Sequence, residues 1–361
     1  MALLNRPRLR WLADLLAARG GTCGSAEPAL PEPAPEPPAP EPITAESLMR
    51  DPPSSDRPPD PAIVTVLLHD RLSEQDRERV LERILSEPEP REIYEGAESE
   101  QVRRFLLLSY GVWFGFPEVL ERTGLTRAQP PEEIHAMARG PLAAAGGLYE
   151  ADMIAGALRE AGVDIETVRS ALDFGCSSGR VTRVLRAAYP QAAWRGCDPN
   201  EHAIAWASEN LAGIEFFVSD HDPPLALPDG SLDLVCAVSI WSHFEPSLGL
   251  AWFQEMRRLL VPGGHLVVTT HGLSTIAHDA AAGLRTPEQA HEIAAALYRE
   301  GAWYHAEFGE EGDWGVINPG WGTAFLSPEW ILAQLSPGWR VLSFAAGRNQ
   351  GNQDVYVLER I

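Results

Sequence analysis

Beyond Gly147 the apolar residues fall into short runs that alternate with amphipathic stretches of helical period. The runs predict strands over 170–174, 193–197, 214–218, 232–238 and 264–270, and the stretches predict helices over 148–161, 178–188, 200–211 and 246–260. Strand then helix, repeated, is the pattern of a parallel sheet with helices on its faces. Two further runs, Arg340-VLSFAA and Asp354-VYVLER, flank a Gly-Arg-Asn-Gln-Gly-Asn turn and predict an antiparallel hairpin at one end of that sheet. The expected fold class is α/β, with a seven-stranded, mostly parallel sheet and an antiparallel closing strand.

Ahead of the alternating region, 61–146 reads as a mainly helical segment. It contains Ala62-IVTVLL, a helix from Ser73 to Leu85, another around Glu100 to Tyr110, and Ala143-AAGG at its end. Residues 1–60 read as a disordered tail, because the stretch from Cys23 to Asp60 is dominated by Pro, Glu and Ala and cannot bury enough apolar surface to offset the entropy of ordering. The first 21 residues are basic with Leu and Trp at helical spacing, and Asp14 and Arg19 interrupt the apolar core an export signal needs, so they read as a frayed tail or a docking helix. The remainder, 147–361, is one domain with an insertion at 272–337. That insertion is too long for a simple connection and holds a well-signalled helix: Thr286 as N-cap, Pro287 first, Gln289 at the third position, Gly301 as terminator.

Composition narrows the partners. A formal charge of −22 and a pI near 4.8 argue against a surface for nucleic-acid phosphates and favour a small or neutral ligand. The four cysteines, Cys23, Cys176, Cys197 and Cys236, match neither a zinc ligand set nor a disulfide framework, and point to a reducing, cytoplasmic setting. No apolar run is long enough to span a membrane. No His, Asp and Glu cluster has metal-ligand spacing, so no metal is expected. Oligomeric state is not legible.

The chemistry concentrates at the strand ends. SALDFGCSSGR, residues 170–180, is an apolar run ending in an acid and opening into Gly175-x-x-x-Gly179; a second acid, Asp198, falls where the second strand ends. Glycines there allow backbone N–H groups to approach a ligand at a helix start, and a carboxylate after the second strand suits the two hydroxyls of a ribose. Asp198 before Pro199 also suits a helix N-cap. Three more motifs follow in order: FFVSDHD, LPDGSLDLVCAVSIWSHF and MRRLLVPGGHLVVTT.

This ordered set, with GCDPN and its helix EHAIAWA, resembles the class I S-adenosylmethionine-dependent methyltransferases over about Gly147 to Ile361, a Rossmann-like fold of seven strands with a reversed final strand. The resemblance implies S-adenosyl-L-methionine as cofactor. It implies that Asp173, Gly175, Cys176 and Gly179 hold the methionine part, Asp198 and Pro199 the ribose, and Asp220 and His221 the adenine. Val238 and Ser239 would then lie beside the methyl group. Ser177 stands where the family carries its middle glycine. As lid segments do in similar enzymes, Ile134-HAMARGP and Gly146-GLY precede the first strand, making 61–146 a lid candidate, with Arg139 for the cofactor carboxylate and Tyr149 over the methionine end.

His243, in Ser242-His243-Phe244, is the candidate base, since a neutral imidazole can take a hydroxyl proton as methyl transfer proceeds; it suits equally a histidine packing the next helix. His271 is the second candidate, and His265, inside a strand, is structural. Trp303, Tyr304, His305, Phe308, Trp314, Trp321 and Phe325, mixed with Glu307, Glu310, Glu311 and Asp313, suit an acceptor pocket for a sugar or other ring, or a small aromatic core holding the insertion on the sheet, the better reading for most of them. The function expected is methylation of a hydroxyl on a small molecule or saccharide. A nicotinamide-dependent oxidoreductase and a silent cofactor-binding module are the alternatives, the first weakened by the missing G-x-G-x-x-G.

Overall fold

The computed structural model describes residues 62–134, 140, 143–306, 318 and 321–361. A run of helices comes first: α1 (Ile63–His69), α2 (Glu74–Ser86), α3 (Pro88–Glu95), α4 (Glu100–Phe114), α5 (Pro117–Thr123) and α6 (Ala143–Glu160). The alternating part follows as β1 (Ser170–Phe174), α7 (Thr182–Ala188), β2 (Ala193–Asp198), α8 (Glu201–Asn210), β3 (Glu215–Val218), β4 (Leu232–Ala237), α9 (Pro246–Leu259) and β5 (Leu260–Thr270). The insertion supplies α10 (Leu273–Ala281), α11 (Pro287–Glu300), the pair β6 (Ala302–His305) and β7 (Thr323–Leu326), and α12 (Pro328–Leu335); β8 (Trp339–Asn349) and β9 (Gln353–Arg360) close the chain.

The seven-stranded sheet runs β3-β2-β1-β4-β5-β9-β8. Strands β1 to β5 pair in parallel, and β9 is antiparallel to both its neighbours, so the expected closing hairpin forms at one end. Order reverses between β1 and β4, where the connection leaving β1 goes to one side and that leaving β4 to the other, opening a crevice at the carboxyl ends of the strands.

Both faces of the central strands are buried, which explains why they read as continuous apolar runs. Successive side chains go to opposite faces. Ala171, Leu234, Cys236, Val267, Val355 and Val357 enter one core with α1, α4, α6 and α7. Leu172, Phe174, Val235, Leu266, Val268, Tyr356 and Leu358 enter the other, against α9 and α12. Alternation therefore puts Asp173 on the Ala171 face, beneath α7.

Several boundaries differ from expectation: α7 begins at Thr182 rather than 178, after the turns of the loop, and α4 runs on to Phe114. The helix expected at 148–161 begins at Ala143 and runs through Gly146 and Gly147, so the division expected between 146 and 147 falls inside an element. A Cβ on Gly147 would strike the Arg180 carbonyl and the Val184 side chain, so the glycine permits α6 to lie directly against the stretch leading into α7. β5 starts at Leu260 rather than 264, with an irregular register between Leu232 and Leu234 on its partner. Among the described residues no helix is long and apolar enough to cross a membrane, and Cys176, Cys197 and Cys236 are buried free thiols. Residues 1–61, Arg139 and most of the 134–141 stretch lie outside the described residues.

Candidate functional site

The crevice is built around two carboxylates. Asp173, within β1, is 4% exposed and accepts a hydrogen bond from Thr182 Oγ1 at 2.5 Å. Asp198, the last residue of β2, is 7% exposed. Its Oδ2 accepts from the Ser177 N–H at 2.7 Å and its Oδ1 from the Asn200 N–H at 2.9 Å. One carboxylate thus ties the loop after β1 to the end of β2. Each of its oxygens retains acceptor capacity, since a carboxylate offers about four lone-pair sites. The N-cap of α8 is Asn200, whose Oδ1 accepts from the Ala203 N–H at 3.0 Å, so the capping role considered for Asp198 belongs two residues later.

The loop after β1 turns through three left-handed residues, with φ of 77° at Gly175, 49° at Ser177 and 75° at Gly179. Ser177 thus adopts the backbone conformation that a glycine would take at no steric cost. A Cβ on Gly175 would collide with the Ile240 side chain, which fixes a glycine there for packing as well as for angle. The expectation that these N–H groups face a ligand is corrected: Gly175 and Cys176 both donate to the Cys197 carbonyl at 2.9 and 3.0 Å, and Gly179 donates to the Cys176 carbonyl at 2.9 Å. The glycines shape the loop, and the acidic side chains are what it presents.

Burial pushes the Asp173 carboxyl up to about 6, with the Asp198 charge adding to the effect and Thr182 and Arg180 opposing it. Burial raises Asp198 as well, against its two N–H donors and the nearby His221. It also raises the Cys176 thiol far enough to keep it protonated. Two adjacent desolvated acids favour a ligand that brings positive charge and paired hydroxyls, and an adenosyl sulfonium with an amino-acid tail meets that description. Asp220 and His221, past the end of β3, are exposed at the rim. Val238 and Ser239, past the end of β4, are half-buried, and Ser239 is left-handed with φ 60°.

His243 is 8% exposed. Its ring stacks on Trp321 with centroids 5.3 Å apart and planes 9° from parallel, and Nδ1 lies 3.0 Å from the Gly322 carbonyl. A carbonyl only accepts, so in the neutral ring the proton sits on Nδ1 and Nε2 is the basic nitrogen. His271 is half-buried beside Phe325, with ring centroids 5.1 Å apart, and desolvation together with His243 pushes it down to about 3. His265 packs in β5 opposite Glu359.

The aromatic residues of the insertion pack mostly against rings at the sheet edge. Trp321 meets His243 and Phe244, while Phe325 meets His271 and Trp303. They knit the β6–β7 pair to the sheet edge, helped by bridges Phe244 to Trp321 and His271 to Phe325. Phe308, Trp314, Glu307, Glu310, Glu311 and Asp313 lie outside the described residues. No group of three or more His, Cys, Asp or Glu able to hold a metal occurs among the described residues. Sequence reasoning missed Thr182, Ile240, Thr269 and Gln353. Thr182 had a signal, a hydroxyl at the start of the helix after the first loop; Gln353 had none, because its place depends on the antiparallel register of β9.

Residues 171–264 match the model of a family described as a methyltransferase domain. A trans-aconitate 2-methyltransferase from Methylobacterium nodulans is 34% identical over 97 residues, covering 27% of this chain and 36% of that protein. A malonyl-acyl-carrier-protein O-methyltransferase from Hahella chejuensis is 29% identical over 128 residues, covering 33% and 44%. Among solved structures, an S-adenosylmethionine-dependent methyltransferase from Mesorhizobium loti aligns with a TM-score of 0.38 and 18% identity, over 56% of this chain and 96% of that one. The chain spans about a third of the length of the trans-aconitate relatives it matches.

Proposed function

We propose, from the methyltransferase domain matched at 171–264 and the strand order, that the chain is a class I S-adenosylmethionine-dependent methyltransferase and that it methylates a hydroxyl oxygen of a small molecule with His243 as proton acceptor. The observation that carries the cofactor reading is Asp198: a buried carboxylate at the end of β2 that closes the first loop and keeps lone pairs for two ribose hydroxyls. When bound, S-adenosyl-L-methionine supplies an electrophilic methyl group on a sulfonium.

The chain's own residues bind, orient and desolvate. Asp173 balances the positive charge of the methionine end, Gly175, Cys176 and Gly179 form the loop beneath it, and Pro199 starts the turn behind the ribose. Asp220 and His221 flank the adenine at the rim. Val238 and Ser239 border the methyl group. In-line alignment of the acceptor supplies much of the acceleration, and a base is needed because a hydroxyl is a weak nucleophile. His243 suits that role, with its Nδ1 proton given to Gly322 and Nε2 basic. His271, pushed down to about 3, stays neutral and does not take a proton at neutral pH. An oxygen acceptor agrees with the name of the malonyl-acyl-carrier-protein relative. A saccharide gains no support from Trp321 and Phe325, whose rings are engaged in packing.

Calorimetry with S-adenosylhomocysteine tests the cofactor part: Asp198→Ala weakens binding by about 1.5–3 kcal/mol, the worth of hydrogen bonds to a charged group, and unchanged affinity rejects the ribose role. A thermal-shift comparison with NAD separates the oxidoreductase alternative. Label transfer from methyl-labelled S-adenosylmethionine into fractionated small molecules identifies the acceptor. On that acceptor, His243→Ala lowers kcat by about 10²–10⁴-fold if the acceptor is a hydroxyl. An unaltered kcat removes the base from the mechanism, as expected of an acceptor already anionic.

A further inference from the structure

β9 enters the sheet at Gln353, and its antiparallel register sets Asp354 opposite Thr270, so the β8–β9 turn sits at the same edge as Ser239. Gln353 is 7% exposed, and its amide oxygen accepts three hydrogen bonds: from Ser239 Oγ at 2.9 Å, Thr269 Oγ1 at 2.7 Å and Asn349 Nδ2 at 3.2 Å. Thr269 Oγ1 in turn accepts from the Ser239 N–H at 2.7 Å. Both hydrogen-bond donors of Ser239 are therefore anchored. That matters because a non-glycine residue at φ 60° is strained and persists only where its surroundings over-determine it.

The other end of the amide completes the arrangement. Three donors converge on the oxygen, so the opposite group is the NH₂, and it lies 3.4 Å from His271 Nε2. An NH₂ can only donate, which makes Nε2 of His271 an acceptor and leaves the ring proton on Nδ1. A single side chain from the last strand thus reaches the residue that ends the β4 edge and the ring that follows β5.

We propose that Gln353 is a positioning residue of the methyl-transfer site, holding Ser239 in its left-handed conformation and His271 as the Nδ1–H tautomer so that the wall beside the methyl group keeps one shape. The proposal rests on the methyltransferase reading. It concerns geometry at the acceptor side and not cofactor affinity, which the Asp198 and Asp173 carboxylates govern on neighbouring strands.

The test uses the full chain, with Gln353→Leu and Gln353→Glu. Imidazole ¹⁵N shifts, with His271 assigned by the loss of its signals in His271→Gln, read the Nδ1–H tautomer in the unaltered protein. Gln353→Leu populates the Nε2–H form. Gln353→Glu keeps an acceptor for Ser239 and Thr269 but offers His271 a carboxylate, so it too turns the ring to Nε2–H. On the acceptor identified by label transfer, Gln353→Leu lowers kcat by about tenfold or more, as small misplacements near reacting atoms do. The KM for S-adenosylmethionine and the calorimetric Kd for S-adenosylhomocysteine stay within about twofold, and Gln353→Glu recovers part of the lost kcat through Ser239. A tautomer that does not change in either variant, or an intact kcat in Gln353→Leu, overturns the proposal. Failure of the unaltered protein to bind S-adenosylhomocysteine overturns the methyltransferase reading and this proposal with it, whereas the tautomer result still reports on the Gln353 to His271 contact. Should Gln353→Leu not fold, the tautomer and kcat of Gln353→Glu decide by the same criteria.

Discussion

Asp173 sits inside a strand with its carboxyl desolvated, and the hydrogen bonds it takes from Thr182 do not offset that burial, so its ionised form opposes folding. Its folded pKa of about 6 lies above the usual carboxylate value of 3.8. The native state therefore holds the proton more tightly than the unfolded chain, and the side chain's contribution to stability is full below pH 3.8 and lost as pH rises through about 6. Asp173→Asn keeps an oxygen for Thr182 and has no proton to lose. Equilibrium denaturation without ligand should find Asp173→Asn more stable than the parent at pH 7.5 by about 2–3 kcal/mol, a gain that vanishes near pH 4. Calorimetry should find its S-adenosylhomocysteine affinity reduced; equal stability of the two proteins at both pH values would mean the carboxyl is better solvated than its burial indicates. Ser177, left-handed at φ 49°, gives a second residue-scale expectation: Ser177→Gly raises stability by up to about 1 kcal/mol, since relief of the side-chain strain exceeds the added chain entropy of glycine. The acids and glycines of this loop were legible because their types and order carry chemistry. Asn200 as the helix cap and Gln353 as an anchor were not, because each role depends on where a neighbouring backbone comes to rest.

α11 is the element whose ends are written most plainly in the chain. Thr286 accepts from the Gln289 N–H at 3.3 Å, the Gln289 side chain accepts from the Thr286 N–H at 2.9 Å, and Gly301 ends the helix at φ 78°. Thr286→Ala should cost about 1 kcal/mol in chemical denaturation. α6 is the opposite case. Gly146 and Gly147 lower helix propensity, and the expected start at 148 followed that local preference. Packing overrides it, because the bare Cα of Gly147 accommodates the Arg180 carbonyl. By propensity alone Gly147→Ala would stabilise the helix; by contact it should destabilise the protein by about 1–3 kcal/mol through overpacking, and a rise in the unfolding midpoint would refute the contact argument. β6, β7 and α12 were unforeseen inside an insertion read mainly as one helix and an aromatic mixture, because a four-residue strand is defined by its partner rather than by its own pattern.

At the scale of the molecule, the helices before the sheet are not a separate body. Val64, Leu68, Phe105, Leu106 and Leu108 share one continuous core with Leu148, Ile154, Val184, Leu234 and Val357. Two polar clamps reinforce that union. Arg71 donates to the Ala187 and Ala188 carbonyls at 2.7 Å each, closing the end of α7. Asp152, buried on α6, accepts from the Val64 N–H at 2.6 Å, the Thr65 N–H at 3.0 Å and Thr65 Oγ1 at 2.5 Å, so a carboxylate from one helix caps the start of another. This cap stands at the N-terminus of α1, where the helix dipole favours negative charge, and it explains how the β-branched run Ile63-Val64-Thr65-Val66 begins a helix. Asp152→Ala leaves three buried donors without that acceptor and should cost about 3–5 kcal/mol. Because the apolar core is shared, the loss should lower the unfolding of the whole chain rather than release α1 to α5 alone. Far-ultraviolet circular dichroism and tryptophan fluorescence should then give coincident midpoints in both proteins, both shifted down in the variant. Separate midpoints in Asp152→Ala, with fluorescence from Trp194, Trp241 and Trp252 in the sheet cores retained while helical signal falls, would mean that the helical layer folds as a unit of its own and that the clamp, not the common core, joins it to the sheet.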